Sequence, residues 1–137
     1  MTVYPDVVRV IESGYRSFSS GGDFGEFGAL IDPDLEWVEG GISPEGGTHY
    51  GRDSFFKWAA SWTESFDGFR IEPLESLVEG DHVVMVLRQS GRGRASGVEF
   101  ETDLVHVWKV SGLRAVRWES YRTLDLALAA LRSPSSD

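Results

Sequence analysis

The chain contains no cysteine among its 137 residues. A disulfide framework and a thiolate zinc site are therefore both excluded. The chain also has no apolar run near the roughly 20 residues that a membrane span needs. Its N-terminus lacks the basic segment and apolar stretch of a signal peptide. We therefore expect a cytoplasmic protein with no membrane partner.

Basic residues are also few, because 13 Lys and Arg stand against 22 Asp and Glu, for a formal net charge of −9. An electric field of that sign repels phosphate backbones and anionic lipid headgroups. The one basic cluster, Arg88, Arg92 and Arg94, surrounds a predicted hairpin tip and is typical of a solvated turn. A nucleic-acid partner is therefore not expected.

Metal-binding patterns are missing as well. His49, His82 and His106 lie on three different segments, and none has the spacing of a helical metal pair. No serine stands in a glycine-flanked elbow of the kind that presents a nucleophile beside a histidine. The sequence therefore predicts no metal site and no serine hydrolase.

The first half of the chain predicts three helices and a strand. Apolar residues recur at helical spacing over residues 7–18 and over 53–66. Asp23 followed by Glu26 resembles a capping box and predicts a short helix that ends before Pro33. Residues 35–39 alternate in the manner of a strand.

The second half predicts a sheet, with a strand over residues 69–78 and three long strand-like segments between 80 and 122. A closing helix over 124–131 and a disordered polar tail over 133–137 follow. We therefore expect one α+β domain over residues 1–132, with a strongly curved sheet wrapped around three N-terminal helices. Its five tryptophans and eight phenylalanines predict an apolar, ring-sized ligand in a pocket of about 300–1,000 Å³.

This order of elements resembles the nuclear transport factor 2-like (NTF2-like) superfamily, particularly its SnoaL-like and ketosteroid isomerase-like branches, over nearly the whole chain. The resemblance rests on the patterns SGGDFGEFGALIDPDLEWVEGG, HYGRDSFFKWAASW, EGDHVVMVLRQSGRGRASGVEFE and VHVWKVSGLRAVRWESY. It implies a cone-shaped fold with a mixed, mostly antiparallel sheet and a homodimer through the outer sheet face. The superfamily hosts isomerases, polyketide cyclases, dehydratases, epoxide hydrolases and non-catalytic binding modules, and the resemblance implies no cofactor.

The resemblance also implies roles for individual residues. Tyr15 matches the tyrosine that donates a hydrogen bond in ketosteroid isomerases, and Glu39 matches the carboxylate that moves the proton. The protonated acid of that site falls near Val105, which cannot donate; Asp103, two residues earlier on the same strand face, is the candidate substitute. The acid that SnoaL-like cyclases place on the last strand has no aspartate counterpart here.

The residues themselves leave alternatives open at both positions. Glu39 shares a strand face with Leu35 and Trp37, and apolar surroundings would raise its pKa toward the range of a useful base. The alternative is that Glu39 faces water at the end of its strand. Tyr15 belongs to the apolar stripe of its helix, either as a donor into the cavity or as a core tyrosine bonded to a backbone carbonyl.

Our hypothesis is a binder of a small hydrophobic molecule that performs proton transfer, with Glu39 as base, Tyr15 as donor and Asp103 as a second acid. The expected ligand-binding residues are Trp37, Phe55, Trp58, Trp62, Val105, Trp118 and Arg122. His106 is expected with Leu104 and Trp108 on the outer sheet face. The alternative function is a binding or assembly module without chemistry, which Val105 at the donor position favours.

Overall fold

The computed structural model describes residues 5–20, 25–38 and 47–132. These residues form helices and strands in the order α1 (Pro5–Ser20), α2 (Gly25–Leu30), β1 (Ile31–Val38), β2 (Thr48–Tyr50), α3 (Arg52–Glu64), β3 (Phe66–Glu79), β4 (His82–Gly93), β5 (Glu99–Ser111), β6 (Arg114–Tyr121) and α4 (Leu124–Arg132). The α+β class predicted from the sequence is confirmed.

The six strands form one sheet in the order β2-β1-β6-β5-β4-β3. Strands β1 and β6 are parallel, and the other neighbouring pairs are antiparallel. Register shifts interrupt the pairing of β1 with β6, of β3 with β4 and of β5 with β6. Such irregularities bend strands and increase their twist, which accounts for the curvature of this sheet.

Two prolines lie within strands and not at their ends. Strand β1 begins at Ile31, four residues before the predicted start, and includes Pro33 in the stretch where its register with β6 shifts. Strand β3 includes Pro73 beside another register shift and lies at the edge of the sheet. Proline lacks an N–H donor and is tolerated at bulges and edges, so β1 continues through Pro33, where the sequence predicted a break. Strand β3 runs through Pro73 as predicted, but it begins three residues before the predicted start.

Helix boundaries also differ from prediction. Helix α3 ends at Glu64, and Phe66 opens β3 where the sequence predicted a further helical residue. Helix α2 begins at Gly25, so the predicted capping residue Asp23 lies outside the described residues, as does the predicted tail over 133–137.

The concave face of the sheet packs against the first three helices and contains the main hydrophobic core. Its fully buried side chains include Leu87, Trp108 and Trp118. The contact between α1 and α2 depends on Gly14, because a Cβ there would lie 2.3 Å from Cγ of Phe27. The first two helices can therefore pack this closely only because residue 14 has no side chain.

The convex face carries a second, smaller hydrophobic cluster beneath α4. Its buried members are Val84, Val105, Val107 and Ala127. Successive side chains of a strand point to opposite faces, so Val105 and Val107 face α4 while Leu104, His106 and Trp108 face the concave side. Within the described ranges, no helix is long and apolar enough to cross a bilayer.

Candidate functional site

A cavity of about 270 Å³ lies between the concave sheet face and the helices α1, α2 and α3. This volume is slightly below the range expected from the sequence. Most of its lining is apolar, and the aromatic members are Tyr15, Phe18, Phe27, Phe55, Phe56, Trp58, Trp62, Phe69, His106, Trp108 and Trp118. Such a lining suits a small apolar molecule held by a few polar groups.

Phe55 of α3 is the centre of the aromatic wall. Its ring centroid lies 5.0 Å from that of Trp118 and 5.9 Å from that of Trp108, in tilted and edge-to-face arrangements. Trp58, one turn further along the helix, lies 5.5 Å from Trp118. Aromatic pairs of this geometry are each worth about 0.5–1.5 kcal/mol beyond the area they bury. The wall is therefore a closely packed part of the fold.

One chain of hydrogen bonds crosses the buried end of the cavity. The hydroxyl of Tyr15 lies 2.7 Å from Nδ1 of His106, and the indole Nε1 of Trp108 donates to the same hydroxyl at 2.9 Å. All three side chains are buried, with exposures of 5% for Tyr15, 8% for His106 and 1% for Trp108. The described residues give His106 one hydrogen bond, through Nδ1, which leaves Nε2 without a protein partner among them.

Burial keeps both titratable members of this chain neutral. Loss of hydration lowers the pKa of His106 from 6.5 to about 3. Burial also raises the pKa of Tyr15 well above its ordinary value, and the neighbouring indole N–H groups of Trp108 and Trp118 oppose part of that rise. At neutral pH the pair is therefore an uncharged imidazole beside an uncharged phenol.

A second indole N–H at this end of the cavity has no partner. Trp118 is 2% exposed and lines the cavity, and its Nε1 is the one completely enclosed polar side-chain atom of the described residues that makes no hydrogen bond. A buried donor without an acceptor costs about 1–3 kcal/mol. Trp118 therefore has an unsatisfied donor near His106, whose ring centroid lies 4.8 Å from its own.

The opposite end of the cavity is more exposed and is lined by other aromatic rings. Trp62 is 46% exposed, and its Nε1 lies 3.4 Å from Oε1 of the buried Gln89. Phe66, just outside the lining, meets Trp62 edge-to-face at a ring-centroid distance of 5.3 Å and lies tilted against Phe100 at 4.8 Å. Trp62 therefore marks the side on which the cavity meets solvent.

The structure brings five of the predicted site residues together around the cavity: Tyr15, Phe55, Trp58, Trp62 and Trp118. Trp37 lies behind this wall, where it contacts Phe55 and Trp58 and stacks on His49 at 4.3 Å. It therefore supports the lining without forming part of it.

Two predicted site residues lie on the wrong face of β5. Asp103 is exposed and pairs with Arg88 at 2.8 Å, and a hydrogen bond from that guanidinium lowers the pKa of Asp103. Val105 lies in the cluster beneath α4. The prediction assigned the two faces of β5 the wrong way round, because the odd-numbered residues of this stretch point away from the cavity.

Arg122 and Glu39 do not join the described site for different reasons. Arg122 is exposed just beyond the end of β6 and does not line the cavity. Glu39 lies outside the described residues. Its role as a base stays a prediction.

His106 is the main residue that sequence reasoning misplaced. It was expected on the outer sheet face, but it lines the cavity with Leu104 and Trp108. The available signal was composition: the even-numbered residues from 100 to 110 are mostly apolar or aromatic, whereas the odd-numbered set includes Glu101, Asp103 and Lys109. Phe27, Gln89 and Ser120, which also line the cavity, were not predicted as site residues.

Metal ligands do not converge in the described part of the chain. No group of three or more His, Asp or Glu side chains there is arranged to hold a metal ion. The described cavity offers hydrogen-bond donors from Tyr15 and the indole groups, and one imidazole that can exchange a proton.

Comparison with known proteins places this architecture. The family model of the SnoaL-like domain matches residues 11–118. No curated protein matches the sequence. A putative SnoaL-like polyketide cyclase from Jannaschia sp. CCS1 has a similar structure, with a TM-score of 0.74, 15% identity, and 98% of this chain and 99% of that chain covered.

Two further solved structures are similar at higher identity. An NTF2-like protein from Burkholderia thailandensis E264 has a TM-score of 0.71 and 26% identity, covering 93% of this chain and 98% of the other. TerC, co-crystallised with polyporic acid, has a TM-score of 0.69 and 25% identity over the same shares. With the family model matching most of its length, the chain belongs to the SnoaL-like domain family and has the NTF2-like fold.

Proposed function

We propose that this protein binds a small, uncharged, ring-containing molecule in its aromatic cavity and catalyses proton transfer on it without a cofactor. The observation that carries the proposal is the composition of the lining: aromatic walls surround a buried tyrosine, a histidine and two indole donors. The SnoaL-like domain family includes ligand binders and some cyclases and isomerases. TerC, a structural relative, was crystallised with polyporic acid, which is consistent with a ligand in this fold.

Ligand charge follows from the side chains that are present. The described residues that line the cavity include no lysine, arginine, aspartate or glutamate. Transferring an ion into such a site costs far more than transferring a neutral molecule, because no opposite charge replaces its hydration. A neutral ligand is therefore favoured over a carboxylate or an amine.

The polar end of the cavity favours a ligand that carries an acceptor oxygen. Trp118 Nε1 makes no hydrogen bond among the described residues, and the Trp118 ring packs against His106, the partner of the Tyr15 hydroxyl. A carbonyl oxygen placed between the indole nitrogen and that hydroxyl would satisfy the indole donor and could accept the phenol proton as well. Tyr15 is then the donor that stabilises negative charge developing on that oxygen. Glu39 remains our sequence-based candidate for the base.

Binding without chemistry is the second candidate function. Asp103 faces solvent beside Arg88, so the second acid of the sequence-based hypothesis is absent from the described cavity. This alternative predicts an intact ligand and no acceleration of proton exchange. The homodimer implied by the family resemblance also stays a proposal, which native mass spectrometry tests directly.

A series of three related probes tests the binding part of the proposal. Tetralin, β-tetralone and tetralin carboxylate share one ring frame and differ in having no polar group, a ketone or an anionic group. We expect the ketone to bind about two- to tenfold more tightly than the hydrocarbon, as one net hydrogen bond allows. The carboxylate should bind most weakly. Quenching of tryptophan fluorescence is the measurement, since four tryptophans line the cavity.

A matched pair of tyrosine variants locates the contact. Tyr15→Phe should remove the preference for the ketone, whereas Tyr50→Phe, at a tyrosine that is 68% exposed, should leave it unchanged. Equal affinity for all three probes in the wild type, or tightest binding of the carboxylate, would contradict the proposed ligand class.

A further inference from the structure

The solvent side of the cavity holds a second polar group, Gln89, which is the only residue of the chain with a side-chain amide. Gln89 lines the cavity and is 8% exposed. Its Oε1 lies 3.4 Å from Nε1 of Trp62, and because an indole N–H can only donate, the amide oxygen is the atom that faces Trp62. The amide nitrogen makes no hydrogen bond among the described residues. Together with Trp118 Nε1, it leaves one unsatisfied donor at each end of the cavity.

The pairing of β4 with β5 gives the distance between these two ends along the sheet. Gln89 pairs with Thr102, and His106 lies four residues further along the same strand. Four residues of strand extend about 13 Å. Between them, on the cavity side, is Leu104, whose side chain has no polar atom. An apolar middle section therefore separates the two polar ends.

Helix α3 gives a second, independent measure of this distance. The ring of Phe55 lies 5.0 Å from that of Trp118, and Trp62, seven residues later, contacts Gln89. Seven residues of α-helix rise about 10 Å. A ligand that is hydrogen-bonded at both ends lies about 3 Å from each protein donor, so roughly 5–7 Å remains between its own two polar atoms.

The volume of the cavity limits the size of such a ligand. Protein interiors are filled to a packing density of about 0.74, so a cavity of 270 Å³ accepts about 200 Å³ of ligand. Two fused six-membered rings with short substituents fit within this volume, whereas four fused rings exceed it. Polar atoms on opposite rings of a two-ring frame also have about the separation that the two ends require.

We propose that Gln89 forms a second polar subsite, which binds a hydroxyl group of the ligand, and that Trp62 is a positioning residue that orients the amide. This inference rests on the proposed function and names its substrate class: a neutral two-ring molecule with an acceptor oxygen at one end and a hydroxyl at the other. The acceptor oxygen binds at the Trp118 end. The hydroxyl stays on the solvent side and accepts a hydrogen bond from the Gln89 amide nitrogen.

A hydroxyl suits this subsite better than an ionic or an apolar group. Its oxygen accepts from the amide nitrogen, while its own proton can go to the amide oxygen or to water. An ionic group would lose its hydration without gaining an opposite charge, since no charged side chain lines the described cavity. An apolar group would leave the buried amide N–H of Gln89 without an acceptor.

Three β-tetralones that differ only at position 6 test the subsite. Position 6 lies on the opposite ring from the ketone, and it carries hydrogen, methyl or hydroxyl. An apolar wall at that point would favour the methyl compound, because burying a methyl group is favourable. A hydrogen bond to Gln89 favours the hydroxyl compound instead. We expect the wild-type protein to bind the hydroxyl compound about two- to tenfold more tightly than the methyl compound in isothermal titration calorimetry.

Variants assign this preference to individual side chains. Gln89→Leu keeps a side chain of similar size without the amide, so the methyl compound should become the tighter ligand, while affinity for the unsubstituted β-tetralone changes by less than about threefold. Ser90→Ala is the matched control, because the next residue of β4 points to the other sheet face and does not line the cavity. It should keep the wild-type order. Trp62→Phe keeps a ring but frees the amide to rotate, so the preference should shrink without reversing.

The amide itself gives a readout that needs no variant. Because Gln89 supplies the only side-chain amide, its NH₂ group gives the only such pair of signals in a nitrogen–proton NMR spectrum. The complex with the hydroxyl compound should shift these signals relative to the complex with the methyl compound. Identical amide signals in the two saturated complexes would overturn the subsite, even if Gln89→Leu failed to fold.

The other outcomes separate the subsite from the proposed function. A wild-type protein that binds the methyl compound at least as tightly as the hydroxyl compound would overturn the subsite and leave the apolar cavity as the binding site. A preference for the hydroxyl compound that survives in Gln89→Leu would overturn it as well. If none of the three β-tetralones binds, the proposed function itself fails.

Discussion

Strand β5 carries hydrogen-bonded pairs on both faces, and one pair from each face shows how different their surroundings are. On the concave face His106 joins Tyr15 with both side chains buried. On the convex face Asp103 joins Arg88 at 2.8 Å, with side-chain exposures of 52% and 45%. The distances are nearly equal, but only the concave pair has lost its water.

The charge state of each pair is therefore set by its access to water more than by its partner. Charge is retained by Asp103 and Arg88, because water and the partner both stabilise it. His106 has lost its charge because nothing replaces its hydration in the cavity. A buried neutral pair and a solvent-exposed ion pair thus lie a few residues apart on one strand.

The largest expected effect comes from removing an indole on the concave face. Trp108→Ala should lower the free energy of unfolding by about 3–5 kcal/mol, since it leaves a cavity and takes the donor from Tyr15. Lys109→Ala, at the exposed neighbour on the convex face, should change it by less than about 0.5 kcal/mol. Urea denaturation measures both. Similar losses in the two variants would remove the distinction between the faces.

A smaller loss should follow from removing one hydroxyl on either face. Tyr15→Phe leaves the Trp108 N–H without its acceptor and His106 Nδ1 without its partner, so about 1–3 kcal/mol should be lost. Tyr121→Phe removes a half-buried hydroxyl that donates to Glu119 at 3.0 Å on the convex side. Because water can replace that bond, its loss should be the smaller of the two in the same denaturation experiment.

The pH dependence of stability should report the burial of His106. Its pKa is 6.5 when unfolded and about 3 when folded, so between these values the unfolded state binds more protons. Stability therefore rises with pH in that window and is lost as the pH falls from 6.5 toward 3. One such group contributes a slope of up to about 1.4 kcal/mol per pH unit.

His106→Asn should remove this part of the slope, and denaturation at several pH values between 4 and 6.5 would reveal it. The carboxylates and the other two histidines contribute equally to the pH dependence of the wild type and of the variant. The difference between the two slopes therefore measures the contribution of His106. Parallel slopes for the wild type and the variant would mean that the folded imidazole takes up its proton near the ordinary pKa.

The smallest effect is expected from the convex pair. A double-mutant cycle with Arg88→Met and Asp103→Asn should give a coupling energy that is smaller than the loss in Tyr15→Phe and that weakens with added salt. A coupling as large as that loss, or one insensitive to salt, would mean that the convex pair is as isolated from water as the concave one.

Sequence patterns predicted the fold well because hydrophobic periodicity is a local property. The stripe of α1 that includes Ile11 and Tyr15 is buried, and the strands from β3 to β6 follow the predicted order. The start of β1 was misjudged at Pro33, where a bulge lets the strand continue through the proline. Bulges depend on the neighbouring strand, which a local pattern does not contain.

The site was harder to predict because it depends on which face of β5 points inward and on contacts between residues far apart in the sequence. Tyr15 and His106 are 91 positions apart, and no local pattern links them. A shift of one residue in the inferred facing of β5 placed Asp103 and Val105 inside and His106 outside. Comparing the polarity of the two alternating sets over the whole strand would have reversed that choice.

The glycine in the middle of α1 couples helix packing to the volume available for a guest molecule. Phe27 forms one wall and occupies the space that any side chain at position 14 would need. Enlarging residue 14 and trimming the opposing phenylalanine would therefore have to be done together, as in Gly14→Ala with Phe27→Leu. Such exchanges offer a way to reshape the chamber while its hydrogen-bonded end, formed by Tyr15 of α1 with His106 and Trp108 of β5, is left untouched.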